Sequence, residues 1–190
     1  MLIHLVRHTT PDIEPGICYG HTDLDLADSF EQERDVVLSK LKGEYDAVYT
    51  SPLQRCAKLA KSVKGKKRIT DDRLMEYNFG DWELLPWNEF KSDQSQQWMN
   101  NFVDQAAPNG DSILSMQTRV DDFFDELFKQ TYKRVAVVTH SGVQRLLHAR
   151  VLQTPLERMF RLQLDFGAVM ELNHDYDEKS GSTTLTIKHL

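Results

Sequence analysis

The sequence predicts an α/β fold in which helices cover both faces of a central, mostly parallel sheet, a three-layer α/β/α arrangement. Three observations carry this. Short apolar runs of strand length alternate along the chain with stretches of helical periodicity. Residues 2–6 (LIHLV), 46–50 (DAVYT) and 134–139 (RVAVVT) are continuous apolar runs, the pattern of strands buried on both faces. Each of the three leads into a loop or a helix start.

The elements follow in order. After the first strand, residues 28–42 form a polar helix with Phe30, Val37 and Leu41 inward. After the second strand, Ser51-Pro52 reads as a helix N-cap followed by proline at the first helical position. The helix from about Leu53 places Leu53, Cys56, Ala57, Ala60 and Val63 on one face. The run 61–68 (KSVKGKKR) reads as lysines at that helix's end and in a solvated loop, in preference to a nucleic-acid patch. Residues 84–109 hold Trp87, Phe90, Trp98 and Phe102 among polar residues and read as a helical excursion beside the sheet. A helix over 112–129 has the apolar stripe Ile113, Met116, Val120, Phe123, Phe124 and Leu127. Another is expected over 142–152, and a C-terminal hairpin pairs 168–172 with 183–188 around a Ser180-Gly181-Ser182 turn.

At 190 residues the chain has the length of one domain. It holds 23 Lys and Arg against 29 Asp and Glu, a net charge of −6, which argues against a general nucleic-acid binder. Its two cysteines, Cys18 and Cys56, exclude a disulfide framework and a Cys-rich zinc site and fit a reducing cytoplasm. No apolar run approaches the ~20 residues of a membrane span, and the N-terminus shows no signal-peptide pattern. The expectation is a cytoplasmic protein without nucleic-acid or membrane partners; oligomeric state is not legible.

In open α/β sheets ligands bind beyond the carboxyl ends of the strands. Arg7 and His8 follow the first strand, Arg55 lies in the first helical turn after the second, and His140 precedes Ser141-Gly142 at a helix start. If the strands are parallel neighbours, two histidines and two arginines converge at one rim. Two guanidinium forks match phosphate oxygens, and a helix N-terminus adds N–H groups and positive dipole. An imidazole there can attack phosphorus, and a second, if protonated, can stabilise transition-state charge. His4, His148, His174 and His189 have no such context and read as structural or surface residues; neither an H-x-x-x-H nor an H-E-x-x-H zinc site is expected.

These residues fall in segments that resemble the histidine phosphatase superfamily, the phosphoglycerate mutase-like enzymes. Residues 5–8 (LVRH) resemble its Arg-His signature, 51–57 (SPLQRCA) its S-x-x-x-R segment, 74–83 (LMEYNFGDWE) its L-x-E-x-x-x-G-x-W-E segment, and 138–143 (VTHSGV) its V-[ST]-H-x-G segment. The resemblance runs from residue 2 to about 152 in the family's order. It implies a phosphoglycerate mutase-like fold, with 1–190 one histidine phosphatase domain and the 84–109 excursion beside the active site. It also implies hydrolysis of a small-molecule phosphomonoester through phosphohistidine, without metal or organic cofactor. His8 would be the nucleophile, Glu76 the general acid and then base, and Arg7, Arg55 and His140 the phosphoryl clamp. Glu83 is a rival acid, but the family pattern places the role on the earlier glutamate.

Within the superfamily, residues 7–11 (RHTTP), 16–23 (GICYGHTD), 79–83 (FGDWE) and 108–112 (PNGDS) are similar to those of the α-ribazole phosphatases, which act in assembling the cobalamin nucleotide loop. Alternatives are a broad-specificity histidine phosphatase, a phosphoglycerate-type mutase and an inactive phosphate-binding module. Thr9 stands where the family has glycine, Pro11 where it often has Thr or Ser, and Glu14 is nearest by count to its loop asparagine. Tyr19, His21 and Ser141 are the candidates for the remaining polar contacts to substrate. Cys18 lies in a loop that can border the site, Cys56 reads as a small buried hydrophobe, and Trp82, Trp87 and Trp98 are open between pocket wall and core.

Overall fold

A computed structural model describes residues 1–177 and 182–190. Its six-stranded sheet has the order β3-β2-β4-β1-β5-β6. The strands are β1 (Leu2–Arg7), β2 (Ala47–Thr50), β3 (Arg68–Thr70), β4 (Arg134–Thr139), β5 (Val169–Asp177) and β6 (Ser182–His189). Strands β3, β2, β4 and β1 are mutually parallel; β5 runs antiparallel to β1 and pairs with β6 as the expected hairpin. Of the expected hairpin turn, Ser180 and Gly181 lie outside the described residues, and Ser182 already belongs to β6.

The layers follow from the two-residue period of the strands. Ile3 and Leu5 of β1 and Val135 and Val137 of β4 enter one core, with Met116, Val120, Phe123, Phe124 and Leu127 of α4 (Ile113–Leu127) and Val143, Leu146 and Leu147 of α5 (Ser141–Leu152). Val6, Val48, Ala136 and Val138 enter the other. Val37 of α1 (Phe30–Lys40) and Cys56, Leu59 and Ala60 of α2 (Gln54–Ser62) complete that second core. A continuous apolar strand is thus a strand with a helix layer on each side.

Three expectations are corrected. Ser51 is not the N-cap of α2; the helix begins at Gln54 with Leu53 as its cap residue, and the Ser51 hydroxyl accepts from Leu53 N–H at 3.4 Å while lying 2.8 Å from His140 Nε2. The lysines of the run 61–68 lie as expected, Lys61 in the last turn of α2 and Lys64, Lys66 and Lys67 in the loop after it, but Arg68 opens β3 on the sheet edge. Its guanidinium donates to the carbonyls of Ala60, Lys61 and Val63, closing the end of α2. The excursion 84–109 is helical only in part, a 3-10 turn at Trp87–Glu89 and α3 (Asp93–Asn101). No described helix is long and apolar enough to cross a membrane.

Candidate active site

The strand register builds the site. Arg7 of β1 pairs with Thr139 of β4, so the next residues, His8 and His140, leave the sheet side by side. His8 N–H donates to the Thr139 carbonyl at 3.0 Å, and Ser51 N–H to the Val138 carbonyl at 3.1 Å. The two imidazoles stand 5.2 Å apart between ring centroids, and the Ser51 hydroxyl lies 2.8 Å from His140 Nε2.

The tautomer of His8 is set by its surroundings. Its Nδ1 lies 2.7 Å from the Thr9 carbonyl, which can only accept, so Nδ1 carries the proton and Nε2 keeps a lone pair. Burial, and then the Arg55 and Arg7 charges, hold His8 well below its ordinary pKa against the opposing Thr9 bond. Burial, Arg55 and His8 do the same to His140. Both imidazoles are therefore held toward the neutral form. A protonated His140 is not its resting state and would require an incoming anion to offset the arginines.

The guanidinium groups are placed by backbone oxygens. Arg55, fully buried, donates to the Gly20 carbonyl at 2.6 Å and the Thr22 carbonyl at 2.8 Å. Arg7 donates to the Leu164 carbonyl and lies 4.0 Å from the Phe166 ring centre. In both, Nε is buried without a hydrogen-bond partner among the described residues. Unpaired buried donors are costly, and an oxyanion would satisfy them. Tyr19 stands 5.5 Å from the Arg55 guanidinium; burial raises its phenol pKa and the Arg7 charge opposes.

Glu76 reaches the same place from the loop after β3. Its carboxylate accepts from Gly142 N–H at 3.1 and 3.2 Å, from Tyr77 N–H at 3.0 Å and from the Ser141 hydroxyl at 3.2 Å. It thus sits at the positive N-terminus of α5. Gly142 leaves room for this carboxylate, which a Cβ at that position, 2.1 Å from Glu76 Oε1, would push aside. Arg119, beside the apolar stripe of α4, donates to the carbonyls of Arg73, Met75 and Glu76 and holds the segment in place.

Glu83 is occupied otherwise. It accepts from His21 N–H, Thr22 N–H, the Thr22 hydroxyl and Phe79 N–H. Burial opposes its ionisation, yet the Thr22 and His21 bonds hold its pKa below the ordinary value. It clasps the 20–22 loop to the 76–83 segment. His21 joins this clasp, its Nε2 2.9 Å from the Glu76 carbonyl, and does not line the cavity.

A cavity of about 240 Å³ opens beside His8. Arg7, His8, Tyr19, Glu76, Ser141 and Arg145 supply its polar wall. Ile17, Phe79, Trp87, Trp98, Ile113, Met116, Met159 and Phe160 supply the apolar one. Trp87 and Trp98 are therefore wall residues, Trp98 also packing with Trp82 in the core behind the wall. Cys18 does not line the cavity although Ile17 and Tyr19 do; burial, then the Glu83 charge, push its thiol up to about 12. Cys56 is buried with Sγ 3.5 Å from His140 Nε2. Glu14 is exposed and outside the cavity, and Thr9 has no positive φ, so threonine meets no strain at that position.

Arg119, Met159 and Phe160 escaped the sequence reading, and so did Arg145 and Phe166. Arg145 donates to the Ser141 hydroxyl at 3.0 Å and the Leu162 carbonyl at 3.1 Å; its one signal is a position one turn after Ser141. Phe166 lies 5.7 Å from His8, at the end of a loop without a pattern of its own. His4 and His8 form an H-x-x-x-H spacing, but on a strand, where four residues span ~13 Å, and His4 is held between Tyr45 at 3.1 Å and Glu171 at 3.4 Å. No cluster of three or more metal-ligating side chains occurs among the described residues.

A model of the histidine phosphatase superfamily (branch 1) matches residues 3–184. The chain belongs to that superfamily. A Hydrogenobacter thermophilus protein provisionally named phosphoserine phosphatase 2 is 29% identical over 189 residues, 94% of this chain and 91% of that one. The adenosylcobalamin/α-ribazole phosphatase of Escherichia coli K12 is 28% identical over 188 residues, 93% and 92% of the two chains. A crystal structure from E. coli K-12, provisionally titled an α-ribazole-5'-P phosphatase, superposes with a TM-score of 0.84 at 26% identity, covering 100% and 95%. The mixed α/β fold is that of phosphoglycerate mutase-like structures, and this histidine phosphatase is a phosphoric monoester hydrolase.

Proposed function

We propose that the chain hydrolyses α-ribazole 5'-phosphate, or a closely similar phosphomonoester of an aromatic-bearing alcohol, through phosphohistidine. The observation that carries this is the division of the cavity, with Arg7, His8 and Arg145 at its polar end, Arg55 and His140 buried outside its lining, and the Phe79, Trp87, Trp98 and Phe160 rings on the apolar wall. A planar aromatic base would stack on such a wall. Phosphoserine, the substrate named for one relative, fits less well. Among the described wall residues the one carboxylate is Glu76, so no second acid is present to hold an ammonium group.

In this reading His8 Nε2 attacks phosphorus as the ester P–O bond breaks, and Glu76, which enters the step protonated, gives that proton to the leaving oxygen. Water then attacks the phosphohistidine, Glu76 takes its proton, the N–P bond breaks and inorganic phosphate leaves. Arg7 and Arg55 carry the phosphoryl oxygens, and His140 takes up a share of the charge as it builds.

The test is phosphate release in EDTA from α-ribazole 5'-phosphate, phosphoserine, phosphoglycerates and nucleoside monophosphates. The expected result is a kcat/KM for α-ribazole phosphate well above the rest, with the rate unchanged by EDTA and abolished in His8→Ala. Preference for phosphoserine would transfer the function to that substrate, and an active His8→Ala would overturn the nucleophile.

A further inference from the structure

We propose that Arg145 is a positioning residue for the general acid, acting on Glu76 through the Ser141 hydroxyl. The inference rests on the proposed role of Glu76 and extends it to two residues that need not touch the phosphoryl group.

The geometry is a directed chain. Arg145 Nη1 lies 3.0 Å from Ser141 Oγ, and Ser141 Oγ lies 3.2 Å from Glu76 Oε2. A guanidinium can only donate, so it occupies a lone pair of the serine oxygen and leaves the hydroxyl hydrogen for Glu76. Ser141 and Arg145 are one turn apart on α5, and the second guanidinium bond, to the Leu162 carbonyl, anchors the cation from outside the helix. Arg145 has no carboxylate within ion-pair distance among the described residues. Its immediate polar business on the cavity side is Ser141.

The chain also distinguishes the two carboxylate oxygens. Oε1 receives Tyr77 N–H at 3.0 Å and Gly142 N–H at 3.1 Å, donors fixed in the backbone. Oε2 shares the Gly142 N–H at 3.2 Å and has Ser141 as its other partner. A backbone N–H cannot turn away from a protonated oxygen, but a hydroxyl can rotate. Oε1 faces two fixed donors and Oε2 only the longer branch of one, so the proton for the leaving group is assigned to Oε2. Ser141 exchanges its role as the proton comes and goes, while Arg145 keeps the serine oxygen in place.

The experiment compares Glu76→Gln, Ser141→Ala, Arg145→Met, Arg145→Lys and the Ser141→Ala/Arg145→Met double variant on aryl phosphates of rising leaving-group basicity and on an alkyl phosphate. Glu76→Gln should slow the alkyl ester far more than the nitrophenyl ester, the signature of a lost acid. Ser141→Ala and Arg145→Met should show the same selectivity at about a tenfold loss in kcat on the alkyl ester, with KM little changed. The double variant should lose no more than the worse single one, and Arg145→Lys should recover most of the rate.

A KM increase for every ester in Arg145→Met, with leaving-group dependence unaltered, would make Arg145 a substrate-anion contact and overturn the proposal. Additive losses in the double variant would overturn it too. A Glu76→Gln enzyme without leaving-group selectivity would instead remove the acid assignment on which the chain depends. Should Arg145→Met not fold, Ser141→Ala and Arg145→Lys carry the same comparison.

Discussion

Gly142 shows how little space separates the parts of this site. A methyl group there would sit 2.1 Å from Glu76 Oε1 and 3.0 Å from Met116 Cε. Alanine is otherwise favoured over glycine in a helix, so Gly142→Ala should leave the melting temperature near that of the wild type. Its cost falls on Glu76, which must leave the N-terminus of α5. We expect kcat to fall on the order of 10²-fold on alkyl phosphates and much less on nitrophenyl phosphate; equal rates on both in variant and wild type would mean that the acid works from elsewhere. At this scale the sequence separates residues with a motif from residues with only a location. His8, Arg55, Glu76 and His140 stand in recognisable segments, whereas Arg145 is one arginine of a helix until Ser141 is seen beside it. His21 shows the reverse. Its segment points to the substrate, but its imidazole meets the Glu76 carbonyl at 2.9 Å and supports the acid's backbone.

Among the elements, α4 was legible almost to its ends. Its apolar stripe is the buried face, and Ser112 caps it in a reciprocal box with Ser115. Ser112→Ala should lower unfolding stability by about 0.5–2 kcal/mol, with no change in KM; a denaturant melt checks it, and an unchanged midpoint would show the cap to be idle. Helix α2 was legible in its face but not in its start. Ser51-Pro52 has the composition of a cap, yet the Ser51 hydroxyl lies 2.8 Å from His140 Nε2, a partner 89 residues away. Strand β3 was missed because three residues, exposed at two positions, carry no apolar pattern. Its pairing with β2 decides the matter. The 84–109 excursion hid its boundaries because its aromatic residues face the cavity and core at irregular spacing, from Trp87 on the wall to Phe90 in the core.

For the whole molecule, buried histidines make acid the weak side of the fold. His8 and His140 are held well below the ordinary imidazole pKa, chiefly by burial, and burial also lowers His4, His148 and His174. Such groups bind protons more readily in the unfolded chain than in the native one. Stability is thus full above about pH 6.5 and drops as pH falls from there toward the depressed native values. Carboxylates held low, such as Asp46 at about 2 beside Lys66, add their loss only in stronger acid. The melting temperature should decline between about pH 6.5 and 5, and His140→Asn should flatten that decline. A melting temperature that stays constant over this interval would contradict the neutral, buried imidazoles. The acid limb of kcat/KM set by His8 should likewise lie below about pH 6.5.

By itself the sequence determined the α/β class, the central strands, the main helices and the family-matched residues at one rim. It could do so because each rests on local information: continuous apolar runs, helical spacing, and residue types in short motifs. Only the tertiary structure decided which of those residues touch. The pairing of Arg7 with Thr139 sets His8 beside His140, and the approach of the 76–83 segment to α5 gives Glu76 its donors. The same packing withdraws Glu83 into a clasp and brings Arg145 into the cavity wall. Contacts between residues tens of positions apart depend on how layers pack, and no single segment carries that in its own pattern.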